Sequence, residues 1–488
     1  MAKPVKVEII SKQYIKPSSP TPPEKSSLKI SVMDELNYVM STPLVLFYPA
    51  ADIGPEDDVV SYLDGKSRLL KAALADTLTL YYPYAGVLTD AGNSIDCNDA
   101  GIEYVEAAVD GTLSDAVFRR PDPDLLENFL LVQDLAGSGR YVGARVQTTA
   151  FSCGGMAVAI SLTHKIGDGA SLQTFLQTWA AAVAAREKST PIPAELFPEF
   201  ASDSIILSSS DVGVPLPTPP AARREQVRTT TRRFVFRPEV IEPLRRRCSS
   251  PAVERPTRVE AVSAVIWRSL MKINAAKRSA AGLQNQKKKK ESVLVQATNW
   301  RTKFNPPLSA HLVGNLSGKL ICRAENGPDE DLKSLVGYIR GEMRAEHERH
   351  FAETSRKKIG VDDVVEAIID FAVEFKEMHA RDDVDLYSFS SLLTFKFHDV
   401  DFGWGKPAWV VFTNLILEQF VLFLEGGGRE GKGGGGVEAM VSIGEDDAAA
   451  LEEDEELLEF ALFNPPVGGG GGGGGKREGR GAKILSSL

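Results

Sequence analysis

The stretch MAVAISLTHKIGDGASLQTFLQTWAAAV, from Met156 to Val183, decides how the chain reads. Val158, Ile160 and Leu162 alternate as one face of a strand that stops at His164. After Gly169, the residues Leu172, Phe175, Leu176, Trp179 and Val183 keep helical spacing for about four turns. Strand, short glycine-bearing loop and amphipathic helix make this region α/β. A histidine at a strand's end can be held rigidly while its ring stays open. With a reference pKa of roughly 6.5, it can accept a proton near neutrality without first losing one. Asp168, four residues on, can orient that imidazole or cap the helix by accepting backbone N–H bonds. The residues alone leave both roles open.

Outward from this unit the mixed pattern continues. VKVEIISKQYI, near the start, alternates as a strand, and the proline-rich segment Pro17–Glu24 is a loop. Leu69, Leu70, Ala73, Leu74 and Leu78 form a helical stripe that ends before Pro83. NSIDCNDAGIEYVEAAV offers two short strands around an Asn-Asp-Ala-Gly turn. Residues 203–227, rich in Ser, Pro and Ala, read as a long connection between halves. Beyond it TTTRRFVF is a strand, Val259, Val262, Val265, Ile266 and Leu270 mark a helix, and SVLVQATNWR is a strand. Two more helical regions surround Val336–His350 and Val361–His379. LYSFSSLLTFKFHDVDFGWG reads as a strand entering a tight turn. WVVFTNLILEQFVLFLE and VEAMVSI can then pair across a glycine-rich connection.

At 488 residues the chain exceeds what one hydrophobic core usually organises, so two domains are expected. A formal net charge of −10 argues against a general nucleic-acid binder, which needs a basic face. The basic run Lys287–Lys290 reads as a solvated loop. Cys97, Cys153, Cys248 and Cys322 lie far apart, which points to free thiols and a reducing, cytoplasmic setting. No segment has signal-peptide form or the roughly twenty apolar residues of a membrane helix, so no membrane partner is expected. The glycine runs Gly426–Gly428, Gly433–Gly436 and Gly468–Gly475 read as insertions that carry no chemistry.

Other motifs narrow the chemistry. Asp401-Phe402-Gly403-Trp404-Gly405 suggests a tight turn whose indole packs inward, and it holds no nucleophile or base. Gly426–Gly433 approaches phosphate-loop spacing, but Gly433 follows Lys432 where Ser or Thr would bind magnesium, and a strand follows instead of a helix. No His-x-x-x-His, Cys-x-x-Cys or paired carboxylates suggest a metal site, and no Gly-x-Ser-x-Gly elbow suggests a serine hydrolase.

His164-Lys-Ile-Gly-Asp168-Gly and Asp401-Phe-Gly-Trp-Gly405-Lys-Pro, 237 positions apart, together resemble the two signature motifs of the plant BAHD acyltransferases. Pro43–Pro49, Tyr82–Gly86, Ile95–Asn98, Asn299-Trp300-Arg301, Gly314-Asn315 and Asp454–Leu458 are similar to further phrases of that family. The wording is similar to the branch containing vinorine synthase and salutaridinol acetyltransferase, which acetylates alkaloid hydroxyls. The resemblance implies the CoA-dependent acyltransferase fold: two similar α/β domains of mixed sheet flanked by helices, with the active-site channel between them. It divides the chain into 1–202, carrying His164 and Asp168, a crossover linker 203–227, and a domain 228–467 carrying Arg301 and the Asp401–Gly405 turn; the glycine-rich tail 468–488 has no family counterpart and reads as disordered from its composition. It also implies that Asp168 turns from the channel to salt-bridge Arg301, and that Asp401, Gly403, Trp404 and Gly405 support the site from a distance. The chain departs from the family in two places. Ser390-Ser391-Leu392 stands where the family has Ser-Ser-Trp, and Thr413–Glu425 is longer and more apolar.

The expected activity is direct acyl transfer, acetyl by the branch resemblance, from acyl-CoA to a hydroxyl of a plant specialised metabolite, with His164 as general base. No permanently bound cofactor or metal is expected; acyl-CoA (acetyl-CoA) is a co-substrate and the enzyme works as a monomer. The alternatives are acylation of an amine, and an inactive relative that binds a small molecule or a partner. The CoA-contacting and oxyanion-stabilising residues carry no readable motif.

Overall fold

The structure, a computed structural model, describes residues 5–37, 41–50, 58–89, 92–130, 143–200, 228–280, 290–304, 306–350, 361–413, 415, 417–426 and 435–468. The expected linker 203–227, Lys287–Lys289, most of the first two glycine runs and the tail beyond Gly468 lie outside them.

Two large sheets form the body. The first has six strands in the spatial order Val7–Ile15, Ile102–Val109, Ala144–Phe151, Met156–Thr163, Ser41–Tyr48 and Trp409–Phe412. Only the pair Ile102–Val109 and Ala144–Phe151 runs parallel. Met156–Thr163 sits between two other strands and is buried at all eight positions. Both of its faces are therefore covered, as a run of small and branched apolar residues favours. One face is covered by helix α1, Val59–Leu80, and helix α2, Gly169–Lys188, which pack on each other. Trp179 of α2 is fully buried and donates its indole N–H to the carbonyl of Leu70 at 3.0 Å.

The second sheet has seven strands, ordered Ser317–Ala324, Glu291–Asn299, Val384–Ser391, Phe420–Gly426, Gly436–Gly444, Thr229–Phe236 and Leu462–Phe463. Helix α3, Arg258–Ala280, and helix α4, Leu332–His350, cover one face. Leu294, Leu320 and Cys322 point into that core. Helix α5, Val361–Ala380, packs near the opposite face, where Phe371 and Phe375 meet Val293, Val295 and Ile321. The fold is thus α/β with two mixed sheets, each carrying its own helices.

The halves are not separate in space. Trp409–Phe412 lies within the stretch 228–467 yet pairs antiparallel with the first sheet, Trp409 opposite Phe47 and Phe412 opposite Leu44. The apolar run from Trp409 to Glu425 is consequently two strands. Only its second part, Phe420–Gly426, pairs with Gly436–Gly444. The physical reason is the first sheet's border: Leu44, Val45, Leu46 and Phe47 are fully buried, and a strand must cover them. Leu422, Leu424 and Met440 of the second sheet also join the first core. Among the described residues no helix is long and apolar enough to cross a membrane.

A candidate active-site channel

The end of Met156–Thr163 places His164 on the wall of a cavity of about 380 Å³. That volume suits enclosure of a drug-sized organic group. Leu162 and His164 come from the first sheet; Ala297, Lys319, Ser388 and Ser390 come from the second. The channel therefore runs between the two halves. Phe371, Phe375, Phe395, Phe412 and Phe420 contribute aromatic rings to its wall. Leu392, which departs from the family's Trp, lines it too and approaches Gly169.

The loop after His164 is tight. The Ile166 N–H bonds the Thr163 carbonyl at 3.2 Å, and at Gly167 a Cβ would stand 2.7 Å from the Ser171 Cβ. No side chain fits there without displacing the helix start. Asp168 then caps α2 by accepting from the Ser171 N–H at 3.0 Å. The same carboxylate takes two bonds from Arg301, Nη1 to Oδ2 at 2.7 Å and Nη2 to Oδ1 at 3.1 Å, and one from the Leu316 N–H at 3.1 Å. Arg301 is buried and also donates to the carbonyls of Leu312 and Gly314. Burial alone would raise the Asp168 pKa; the Arg301 charge and these hydrogen bonds outweigh it and hold the carboxyl below its ordinary value. Among the described residues the buried His164 Nδ1 has no hydrogen-bond partner, and the Asp168 carboxylate is bonded to Ser171, Arg301 and Leu316.

A second brace carries no motif that sequence reasoning had assigned. Asn315 donates through its backbone N–H and its Nδ2 to Asp34 Oδ1, both at 2.7 Å, and through Nδ2 to the His164 carbonyl at 2.6 Å. Asp34 is buried in a short helix, Val32–Leu36, that begins with a reciprocal cap from Ser31. Burial pushes the Asp34 pKa up against its hydrogen bonds. Lys165 donates to the Glu35 carbonyl at 2.6 Å, tying the same loop to the same helix. The Ser31-x-x-Asp34 spacing was the available signal for this element.

The His164 ring sits below its usual pKa because burial disfavours the imidazolium, and the nearby Lys319 charge adds to that; Asn315 and Asp168 oppose it. The ring is therefore neutral at pH 7, able to accept a proton. Among the described residues no cysteine lines the channel. Burial also raises the Cys248 thiol to about 12 and pushes Cys322 higher still.

Asp401–Gly405 lies elsewhere: none of its residues lines the channel. Asp401 Oδ1 accepts the Gly403 and Gly405 N–H groups at 2.8 and 2.9 Å, in a turn where the two glycines have φ of +98° and +99°. Phe402 is fully buried in the first core, edge-on to Trp179 with ring centroids 4.9 Å apart. Lys66 stands over the Trp404 ring at 4.6 Å and over the Tyr62 ring at 3.9 Å, and burial lowers its pKa to about 8.

The model of the Transferase family matches residues 5–458. Stemmadenine O-acetyltransferase of Catharanthus roseus is 31% identical over 90% of this chain and 94% of its own length. Acyltransferase Pun1 of Capsicum frutescens is 32% identical over the same shares. The crystal structure of vinorine synthase superposes with a TM-score of 0.72 at 29% identity, covering 95% of this chain and 100% of that one.

Proposed function

The chain belongs to the Transferase family, the acyl-CoA-dependent BAHD acyltransferases, and on that premise we propose that His164 is the general base for direct transfer of an acetyl group onto a hydroxyl of a plant specialised metabolite. The observation that carries this reading is the neutral imidazole on the wall of a channel built by both sheets. The O-acetyltransferase activity of the stemmadenine relative favours acetyl as the group and oxygen as the acceptor atom.

In the proposed step His164 takes the acceptor's proton as its oxygen attacks the thioester carbonyl. The carbonyl π electrons move to oxygen, giving a tetrahedral oxyanion. Its collapse restores the carbonyl, breaks the C–S bond and expels CoA thiolate, which recovers the proton from imidazolium. A positioned base of this kind typically contributes about 10²–10⁴-fold in rate. The absence of a thiol along the described channel wall favours a ternary complex over an acyl-cysteine relay. Asp168 and Arg301 act as positioning residues, and Asp401, Gly403, Trp404 and Gly405 as remote support. The segments 1–202 and 228–467 are the proposed domains, joined through the exchanged strand Trp409–Phe412.

The test is CoA release from acetyl-CoA with a panel of alcohols and amines. Turnover with alcohols that His164→Ala abolishes supports the reading. Turnover confined to amines would change the acceptor class, and full activity in the alanine variant would overturn the base.

A further inference from the structure

Four charged side chains line the channel: Asp168, Lys319, Glu346 and Arg349. Three have a counter-charge. Asp168 is held by Arg301, Glu346 by Lys303, and Arg349 by Glu342. Lys319 forms neither hydrogen bond nor ion pair among the described residues. It stands on Ser317–Ala324 opposite Ala297 of the neighbouring strand. Its chain neighbour Leu320 turns to the other face of the strand and enters the second core. Lys319 therefore projects from the face that looks at the channel and α5, open to the cavity's solvent. Ala297 opposite it offers no acceptor, and the carboxylate whose charge reaches it, Asp168, is already held by Arg301.

A ligand that fills the channel displaces the water around this exposed ammonium, and the charge then becomes costly unless the ligand brings its partner. We infer that Lys319 is a specificity-determining residue that selects a substrate bearing a carboxylate close to the reacting centre. This rests on the proposed role of His164, because donor carbonyl and acceptor oxygen must meet at that ring. Lys319 lines the same cavity as His164 and stands four residues beyond Asn315, which bonds the His164 carbonyl, and its charge bears on the ring. The carboxylate is consequently attached within a few bonds of the thioester carbonyl or of the attacked hydroxyl. CoA's own phosphates do not meet this condition, since a full pantetheine arm separates them from the thioester. Two sources share the chemistry: a dicarboxylic acyl group on the donor, or a hydroxy acid as acceptor.

Calorimetric binding to the full chain separates them without relying on turnover. The donor pair is malonyl-CoA against acetyl-CoA; the acceptor pair is mandelate against methyl mandelate. The wild-type chain should favour the charged member of one pair. Lys319→Met should lower that charged-to-neutral affinity ratio by about tenfold or more, and Lys319→Arg should retain most of it. A preference in the donor pair assigns the carboxylate to the acyl group, and one in the acceptor pair assigns it to the acceptor. Equal or inverted preference in both wild-type pairs, or a ratio that Lys319→Met leaves unchanged, overturns the inference. Binding of both CoA esters without charge preference would leave the acyltransferase reading standing. Failure to bind either CoA ester would remove that reading and this inference together.

Discussion

Two turns built on an aspartate, Asp168 and Asp401, use the same carboxylate chemistry to opposite ends. Asp401 satisfies only the N–H groups of its own turn, Gly403 and Gly405, and its neighbours Phe402 and Trp404 sink into the first core. Asp168 satisfies its own helix start and then reaches 133 positions along the chain to Arg301. The first turn is finished by local contacts. The second is complete only when the other half of the molecule is in place, which fixes His164 relative to the opposite channel wall. Where a carboxylate finds its partners thus separates a packing element from a positioning one.

The widest gap between the turns should appear on removing the imidazole. His164→Ala should cut kcat by about 10²–10⁴-fold while CoA-ester affinity, read by calorimetry, stays near wild type. Substantial residual turnover would place the chemistry elsewhere.

Next come Asp168→Asn and Arg301→Ala, each leaving one partner of a buried pair without the other. Each should cost about 3–5 kcal/mol of stability and most of the activity. Measured by urea denaturation as a double-mutant cycle, the two losses should be strongly non-additive. Additive losses would mean that the loop is held by the Asp34–Asn315 brace alone.

Asp401→Ala tests the other side of the comparison. It should cost about 1 kcal/mol or slightly more, seen as a lowered Tm, with kcat/KM of the folded enzyme unchanged. A matching fall in kcat/KM would show that the remote turn transmits to the channel, through α2 and Trp179.

The smallest effect concerns protonation. Below the His164 pKa the ring holds a proton and cannot accept another, so kcat/KM should fall on the acid side at a pH below histidine's ordinary 6.5. Lys319→Met removes a neighbouring positive charge, which favours imidazolium, so the acid limb should move upward. A limb that moves downward would show that Lys319 acts on the ring by some route other than its charge.

Much of this was legible before any coordinates. Helical and strand periodicities around His164 work over neighbours in sequence, so the strand, loop and helix were readable there. The pair of motifs identified the family and its α/β fold. The Asp34–Asn315 brace was not readable, because its members lie 281 positions apart and their geometry exists only after both halves assemble. The strand Trp409–Phe412 hid for a related reason: an apolar run has the same pattern whichever sheet it joins. Lys319 carries no signal in the sequence, since alternation cannot distinguish an outer surface from the wall of an internal channel.

The exchanged strand also sets an order of events during synthesis. Leu44–Phe47 leave the ribosome long before Trp409–Phe412, their partner in the finished sheet. Until some 360 further residues emerge, the first sheet carries an apolar border with unpaired backbone groups, a template for association with other chains. Nascent chains stalled before Trp409 should therefore recruit chaperones and remain protease-sensitive at Ser41–Tyr48. Chains stalled far enough beyond Phe412 for it to clear the exit tunnel should become resistant there, and equal resistance in the shorter chains would contradict that order.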